Sequence, residues 1–382
     1  MSNPADYLPG PISANAINEL LVSIGLAKAS KIASAKVTAD YHSIYRITVP
    51  PSGETKSMDL ILRVSGHHLP RIKTANEVGV MAWVTENTTI PVPKVIASDE
   101  SAHNPIAHEY TLLSCVEGET LSDIYSTLDE DQISGILDQL IDILGQLHEH
   151  EWDAIGGLNV NAQGEIVLAP VVDETFWQAP DLKLWPSIET VASLNIAGPY
   201  RTYVEYISAQ IRQYIHLISI HDSLAFMRSD IPRPEAFLAA LPRHATELNA
   251  TKLRLAHKDL HWANLLYDRA SNKITAVLDW EFSTISPFQQ WDPQRAFLWN
   301  GQSGKASLAE KDRLRRQFSE RCHARGVTLL QDAAFASPLQ EAMHTVANYV
   351  RAIVEVSPRN QRVDLAPKWR ATALDHVAHF AV

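Results

Sequence analysis

The sequence changes texture once. Up to about residue 116 it consists of short runs of β-branched and apolar residues separated by turn formers, and after "EGETL" (117–121) apolar residues recur at three and four. Side chains alternate along a strand and return about every 3.6 residues on a helix, so neither texture suits the other fold. "SIYRITVP" and "MDLILRV", separated by the turn-forming "PPSGETK", predict a hairpin. "TANEVGVMAWVTEN" then has helical spacing, and "IPVPKVIAS" and "HEYTLLSCV" predict two more strands. Pro91 and Pro93 confine the first of these to an edge or an entry. Ahead of the sheet, "INELLVSIGLA" predicts a helix capped by Ser13 or Asn15 and closed near Gly25. In the second part "QISGILDQLIDILGQLHEH" is a long amphipathic helix, with further helical patterns near 200–220, 234–248, 306–325 and 338–356. Its only clear β segment is "ANLLYD", "RASNK" and "ITAVLDW", while "QAPDLKLWPSIET" (178–190) reads as an irregular insertion. The expected class is α+β: a small antiparallel-sheet lobe with one key helix over 1–116, and a large, mostly helical lobe over 117–382.

A length of 382 residues suits two such lobes. The net charge of -11, from 33 basic and 44 acidic residues, argues against a nucleic-acid partner, which would be held by Lys and Arg on phosphates. Two cysteines, Cys115 and Cys322, imply no disulfide framework and favour a reducing compartment. No apolar run approaches the ~18 residues of a membrane span. The first 30 residues lack the basic start and apolar core of a secretory signal. A cytoplasmic protein with no membrane partner is expected.

The chemistry concentrates in "LRLAHKDLHWANLLYD" (253–268), where His257, Asp259, His261 and Asn264 interrupt apolar sequence. Asp279-Trp280-Glu281 follows at the end of the second hairpin strand. The hairpin would turn Asn264 and Asp279 toward one point. An amide oxygen beside a carboxylate is a hard donor pair suited to Mg²⁺ that also holds phosphate oxygens. Asp259, just ahead, would stay outside the metal shell and accept a proton from an attacking hydroxyl. The plainer reading, a buried Asp satisfied by His, does not account for the second motif.

This constellation resembles the catalytic core of the protein-kinase-like superfamily, H-R-D-x-x-x-x-N followed by D-F-G. More narrowly it is similar to the aminoglycoside phosphotransferase and choline kinase branch, with H-G-D-x-H-x-x-N and D-x-[DE]. His261 stands where a protein kinase carries Lys, and Glu281 where it carries Gly. The resemblance implies a two-lobed kinase-like fold and an ATP- and Mg²⁺-dependent transfer of phosphate to a small-molecule hydroxyl. It assigns catalysis to Asp259 and His261. Metal binding falls to Asn264 and Asp279, with Glu281 either a further ligand or a support for them.

In the first lobe the resemblance requires a cation on the third strand, held by a helix glutamate. "LILRV" supplies Arg63, with Glu77 in the next helix; Lys73 is a rival partner for Glu77 through an i,i+4 pair. The phosphate-covering loop would be Asp40-Tyr41-His42-Ser43, which has no glycine, so Ser43 would meet phosphate unless the stretch is an ordinary hairpin turn. "YTLLSCVEGETL" resembles the hinge: Leu113 as gatekeeper, Ser114 and Val116 on the adenine edge, Gly118 releasing the chain. Asp292 matches an acid that braces the catalytic loop.

"NGQSGKAS" fails as a phosphate loop, since Ala306 replaces Ser or Thr and no strand precedes it. His148 and His150 lack zinc-pair spacing. The acceptor would lie against 178–215 and the C-terminal helices, near Trp177, Trp185 and Tyr203. A non-catalytic nucleotide-binding scaffold is the alternative, favoured by Arg63 and the glycine-free loop. A protein kinase fits less well, for want of an A-P-E-like segment.

Overall fold

The computed structural model describes residues 7–35, 41–51, 57–291 and 304–381. Asp40, most of the "PPSGETK" turn and Asp292 lie outside the described residues. Helix α1 (Ala14–Ser23) is capped by Ser13, whose side chain accepts the Ala16 amide, so the cap is Ser13 and not Asn15. It buries Ile17, Leu20 and Leu21 against the sheet. Five antiparallel strands follow: β1 (Lys31–Ser34), β2 (His42–Val49), β3 (Met58–Ser65), β4 (Val95–Asp99) and β5 (Tyr110–Ser114), in the order β1-β2-β3-β5-β4. The strand after Pro91 and Pro93 is indeed at an edge, where a missing amide costs no ladder bond. Helix α2 (Ile72–Asn87) connects β3 to β4.

The second part carries α3 (Glu130–Glu149), α4 (Tyr203–Ile220), α5 (Pro232–Ala240), α6 (Lys305–Ala324), α7 (Pro338–Val356) and α8 (Ala366–Val377). An Asp129–Gln132 capping box starts α3. The helix expected over 234–248 is interrupted: it tightens to a 3-10 turn over Leu241–His244 and resumes as α-helix over Ala245–Leu248. Pro242 explains this, because its ring excludes the amide needed to continue.

The expectation of one clear β segment in this half is corrected. Beside β10 (Leu265–Asp268) and β11 (Lys273–Val277), a strand β6 (Glu119–Thr120) joins β10. A hairpin forms from β7 (Gly157–Val160) and β8 (Ile166–Ala169), and β9 (Leu253–Ala256) pairs with β12 (Thr284–Pro287). These strands are too short for alternation to declare them.

Packing does not stop at the connector. Val80, Met81, Trp83 and Val84 of α2 belong to the same apolar core as α3, α4 and α7. Gly79 makes that seat possible: a Cβ there would lie 2.5 Å from the Leu158 carbonyl on β7. Among the described residues no helix is long and apolar enough to cross a membrane.

Candidate active site

Strand β9 is buried along its length and delivers the chain to His257, itself fully buried. His257 Nε2 lies 2.8 Å from the Leu278 carbonyl, and its ring sits 4.5 Å from that of the buried Trp280. The Leu278 amide donates to the Asn264 carbonyl at 2.8 Å. Those two contacts stitch the loop after β9 to the turn after β11, so the backbone of Asn264 lies against the residue that precedes Asp279. Asp279 has φ 65°, in the left-handed region that a non-glycine residue adopts at a cost. That turn directs its carboxylate back toward the sheet.

Asp259 is half-exposed. Its Oδ2 accepts from Asn264 Nδ2 at 3.0 Å, its carbonyl accepts from the same nitrogen at 2.8 Å, and its Oδ1 lies 3.3 Å from His261 Nε2. Both acceptors demand the NH₂ end of the amide, which turns the Asn264 oxygen away from Asp259. Partial burial pushes the Asp259 carboxyl up, but His261, His257 and the Asn264 hydrogen bond together hold it below the ordinary value. It is therefore an ionised acceptor at neutral pH.

Arg63, on β3, reaches across to this turn. Its Nη2 donates to Asp279 Oδ1 at 2.8 Å, while Nη1 is paired with Glu77 on α2. Burial opposes the guanidinium charge, yet Glu77 and Asp279 together raise its pKa. The Arg63–Glu77 pair forms and the Lys73–Glu77 alternative does not. Lys73, fully buried, instead places Nζ 2.6 Å from Glu281 Oε2 and 3.0 Å from His42 Nε2. Burial pushes the Glu281 carboxyl up to about 7, against the pull of Lys73 and with the help of Asp279. His42 is held well below its ordinary value by burial and by Arg63 and Lys73. Its two ring nitrogens face the cations, Nε2 at 3.0 Å from Lys73 Nζ and Nδ1 at 3.2 Å from Arg63 Nη2, with Glu281 Oε2 3.5 Å from Nδ1.

Ser43 requires correction. It lies in β2 rather than in a loop, pairs with Val64, and donates its hydroxyl to the Pro9 carbonyl at 3.3 Å. The neighbouring His42 is the side chain that faces the cations. Leu113 is buried at the end of β5, Ser114 exchanges hydrogen bonds with Lys94, and Val116 follows on the connector. Gly118 has φ 147°, and a Cβ there would meet Thr275 Oγ1 at 2.6 Å. The connector is thus pressed onto β10 and β11.

Sequence reasoning missed His42, Asn76 and Asp173, and it offered Lys73 only as a rival partner for Glu77. Asn76 donates to the Ser283 carbonyl at 2.8 Å and accepts the Leu158 amide at 3.0 Å, tying α2 to the turn and to β7. A signal existed for α2, because Lys73, Asn76, Glu77 and Val80 share one helical face. No local signal joins Asp173 to Lys258, whose Nζ is 2.9 Å from Asp173 Oδ2. Beside that pair, between α4 and α7, lies a cavity of about 300 Å³ whose walls include Trp177, Tyr206, Tyr214 and Trp291. Trp185 packs edge-on against Trp177, and Tyr203 bonds His344, so these two serve the core. His148 pairs with Asp332 at 2.7 Å rather than with His150.

The sequence model of the phosphotransferase enzyme family matches residues 41–290, most of the chain and all of this constellation. The chain belongs to that family. Its fold is that of the aminoglycoside phosphotransferases of the protein-kinase-like superfamily. The ADP-bound aminoglycoside phosphotransferase APH(2″)-Ib superposes with a TM-score of 0.51, covering 97% of this chain and 99% of that one at 12% identity. A subtelomeric hrmA-associated cluster protein of Aspergillus fumigatus is 23% identical over 62% of this chain and 55% of its own length. Altered inheritance of mitochondria protein 9, mitochondrial, of Meyerozyma guilliermondii is 24% identical over 65% and 47%. The chain thus spans about half the length of the curated relatives it matches.

Proposed function

We propose that this member of the family transfers the γ-phosphoryl group of ATP to a hydroxyl of a small molecule. The observation that carries the reading is an ionised Asp259 tied to Asn264, whose carbonyl takes the Leu278 amide beside the turn where Asp279 meets Arg63 of the first lobe. Asp259 would orient the acceptor O–H and take its proton as the new P–O bond forms and the bond to the β-phosphate breaks, releasing ADP. His261 holds one Asp259 oxygen and keeps the carboxylate pointed. Arg63, anchored by Glu77, would meet the α and β phosphates. Leu113, Ser114 and Val116 would line the adenine side.

Asn264 and Asp279 fit Mg²⁺ by donor chemistry: one amide oxygen turned from Asp259 and one carboxylate, leaving further positions to water and phosphate. Bound there, the ion would neutralise charge on the phosphates. Glu281, committed to Lys73, supports the turn that carries Asp279. A cytoplasmic setting agrees with the two free cysteines, whereas the name of the Meyerozyma relative points to mitochondria; fractionation of tagged protein separates the two.

Asp259→Ala should lower acceptor-dependent ADP release by about 10²–10⁴-fold while ATP affinity stays within about twofold. Unchanged turnover would remove Asp259 from the chemistry. One observation favours a non-catalytic nucleotide binder: Arg63 and Asp279 already neutralise each other. ATP binding without any Mg²⁺-dependent ADP release, across an alcohol panel, would favour that reading.

A further inference from the structure

The cavity beside Lys258 has a charge balance that narrows the acceptor, an argument that rests on the phosphotransferase reading. Two of its wall carboxylates are already engaged. Asp173 is bound to Lys258, and Glu355 Oε2 lies 2.6 Å from Arg351 Nη1 with Oε1 3.6 Å from Arg359. Burial opposes the charge of Asp173, but Lys258 holds its carboxyl at about 2, so the pair stays ionised. Glu174 is the one lining carboxylate with no ion pair or hydrogen bond among the described residues. It sits exposed at the mouth, where a second cavity of about 450 Å³, lined by Lys183 and Arg359, adjoins the first.

A ligand with several ammonium groups would therefore meet one available carboxylate and the fixed cations Lys258 and Arg351. Each unmatched charge brought out of water is costly. What the wall offers is neutral. Helix α4 presents Tyr206, Gln210 and Tyr214 at helical spacing, and neither phenol makes a hydrogen bond among the described residues. Burial raises the pKa of both phenols, so they remain neutral donors and acceptors. The indoles of Trp177 and Trp291 complete the lining with apolar faces.

We propose that the acceptor is a ring-bearing, polyhydroxylated molecule with at most one positive charge, held by tyrosine and glutamine hydrogen bonds against indole, its reacting hydroxyl toward Asp259. Such a ligand satisfies groups that would otherwise be desolvated without partners. Lys258 and Asp173 fix the end nearest the catalytic loop.

Calorimetric titration of the whole protein with salicin, a neutral phenyl glucoside, and with kanamycin, a polycationic aminoglycoside, tests this directly. Salicin should bind with a Kd lower by about tenfold or more, and Tyr214→Phe should weaken it by about fivefold. Arg351→Gln, which removes one wall cation and leaves Glu355 only its looser contact with Arg359, should strengthen kanamycin. Gln210→Ala offers a second reading of the same wall should Tyr214→Phe fail to fold. Absent salicin binding, a ratio below tenfold, or salicin affinity unmoved in the folded wall variants would overturn the proposal. These titrations involve no turnover. Salicin binding with Asp259-independent ADP release would therefore sink the phosphotransferase reading alone, and tighter kanamycin binding with Asp259-dependent release would sink the acceptor class alone.

Discussion

The site's most unusual residue is Lys73, an ammonium buried among Glu281, His42 and the ring of Tyr41. Removing one partner of such a pair leaves the other unpaired in a buried site, which costs about 3–5 kcal/mol. Lys73→Met should destabilise the protein by that order in urea unfolding, and Lys73→Met with Glu281→Leu should recover much of it. Failure of the double variant to recover would mean that Lys73 acts elsewhere. Titration gives a second check. The Glu281 carboxyl is raised by burial from an ordinary 4.5 to about 7, so the folded protein holds this proton more tightly than the unfolded chain. Its contribution to stability is full below pH 4.5 and is lost as pH rises through about 7, at roughly 1.4 kcal/mol for each tenfold difference in proton affinity between folded and unfolded chain. Across that window the Tm of wild type should fall relative to Glu281→Gln. Parallel curves would show that burial leaves this carboxyl at its ordinary value.

Among the elements, α2 couples the most. Glu77 anchors Arg63, Asn76 ties down residues after Asp279, and Gly79 lies against β7. Any Cβ at residue 79 must push the helix from the Leu158 carbonyl, and rigid backbone cannot yield as a flexible side chain would. Gly79→Val should therefore cost about 1–3 kcal/mol or more. It should also weaken ATP binding, because displacement of α2 moves Glu77 and with it Arg63. A stable Gly79→Val protein with wild-type ATP affinity would show that the site tolerates movement of the helix.

Across the whole molecule, the proposed nucleotide site would link ligand binding to the contact between the two halves of the chain. Arg63 on β3 and Asp279 after β11 lie in different halves of the chain and meet in one site. A ligand that binds only when they are assembled stabilises the fold by about 2.7 kcal/mol at 100 times its Kd. For a chain of this length that is roughly 3 °C in Tm. Mg²⁺-ATP should produce such a shift in wild type and little in Arg63→Met. An equal shift in both would place the phosphates away from Arg63.

Local rules alone account for the strand-to-helix texture, the Ser13 and Asp129 caps, and the hairpin that carries Asn264 toward Asp279. Alternation, capping chemistry and turn formers act over a few residues, and so they can be read along the chain. The pairing of Arg63 with Glu77 was legible too, through a strand-then-helix pattern that families of kinases share. The four-residue pairing of β9 with β12, the capture of Lys73 by Glu281, and the approach of Asp173 to Lys258 arise only once the chain has packed. Each joins segments far apart in the chain, and the affinity of a buried charge for its partner depends on which groups surround it in space, which no local pattern records.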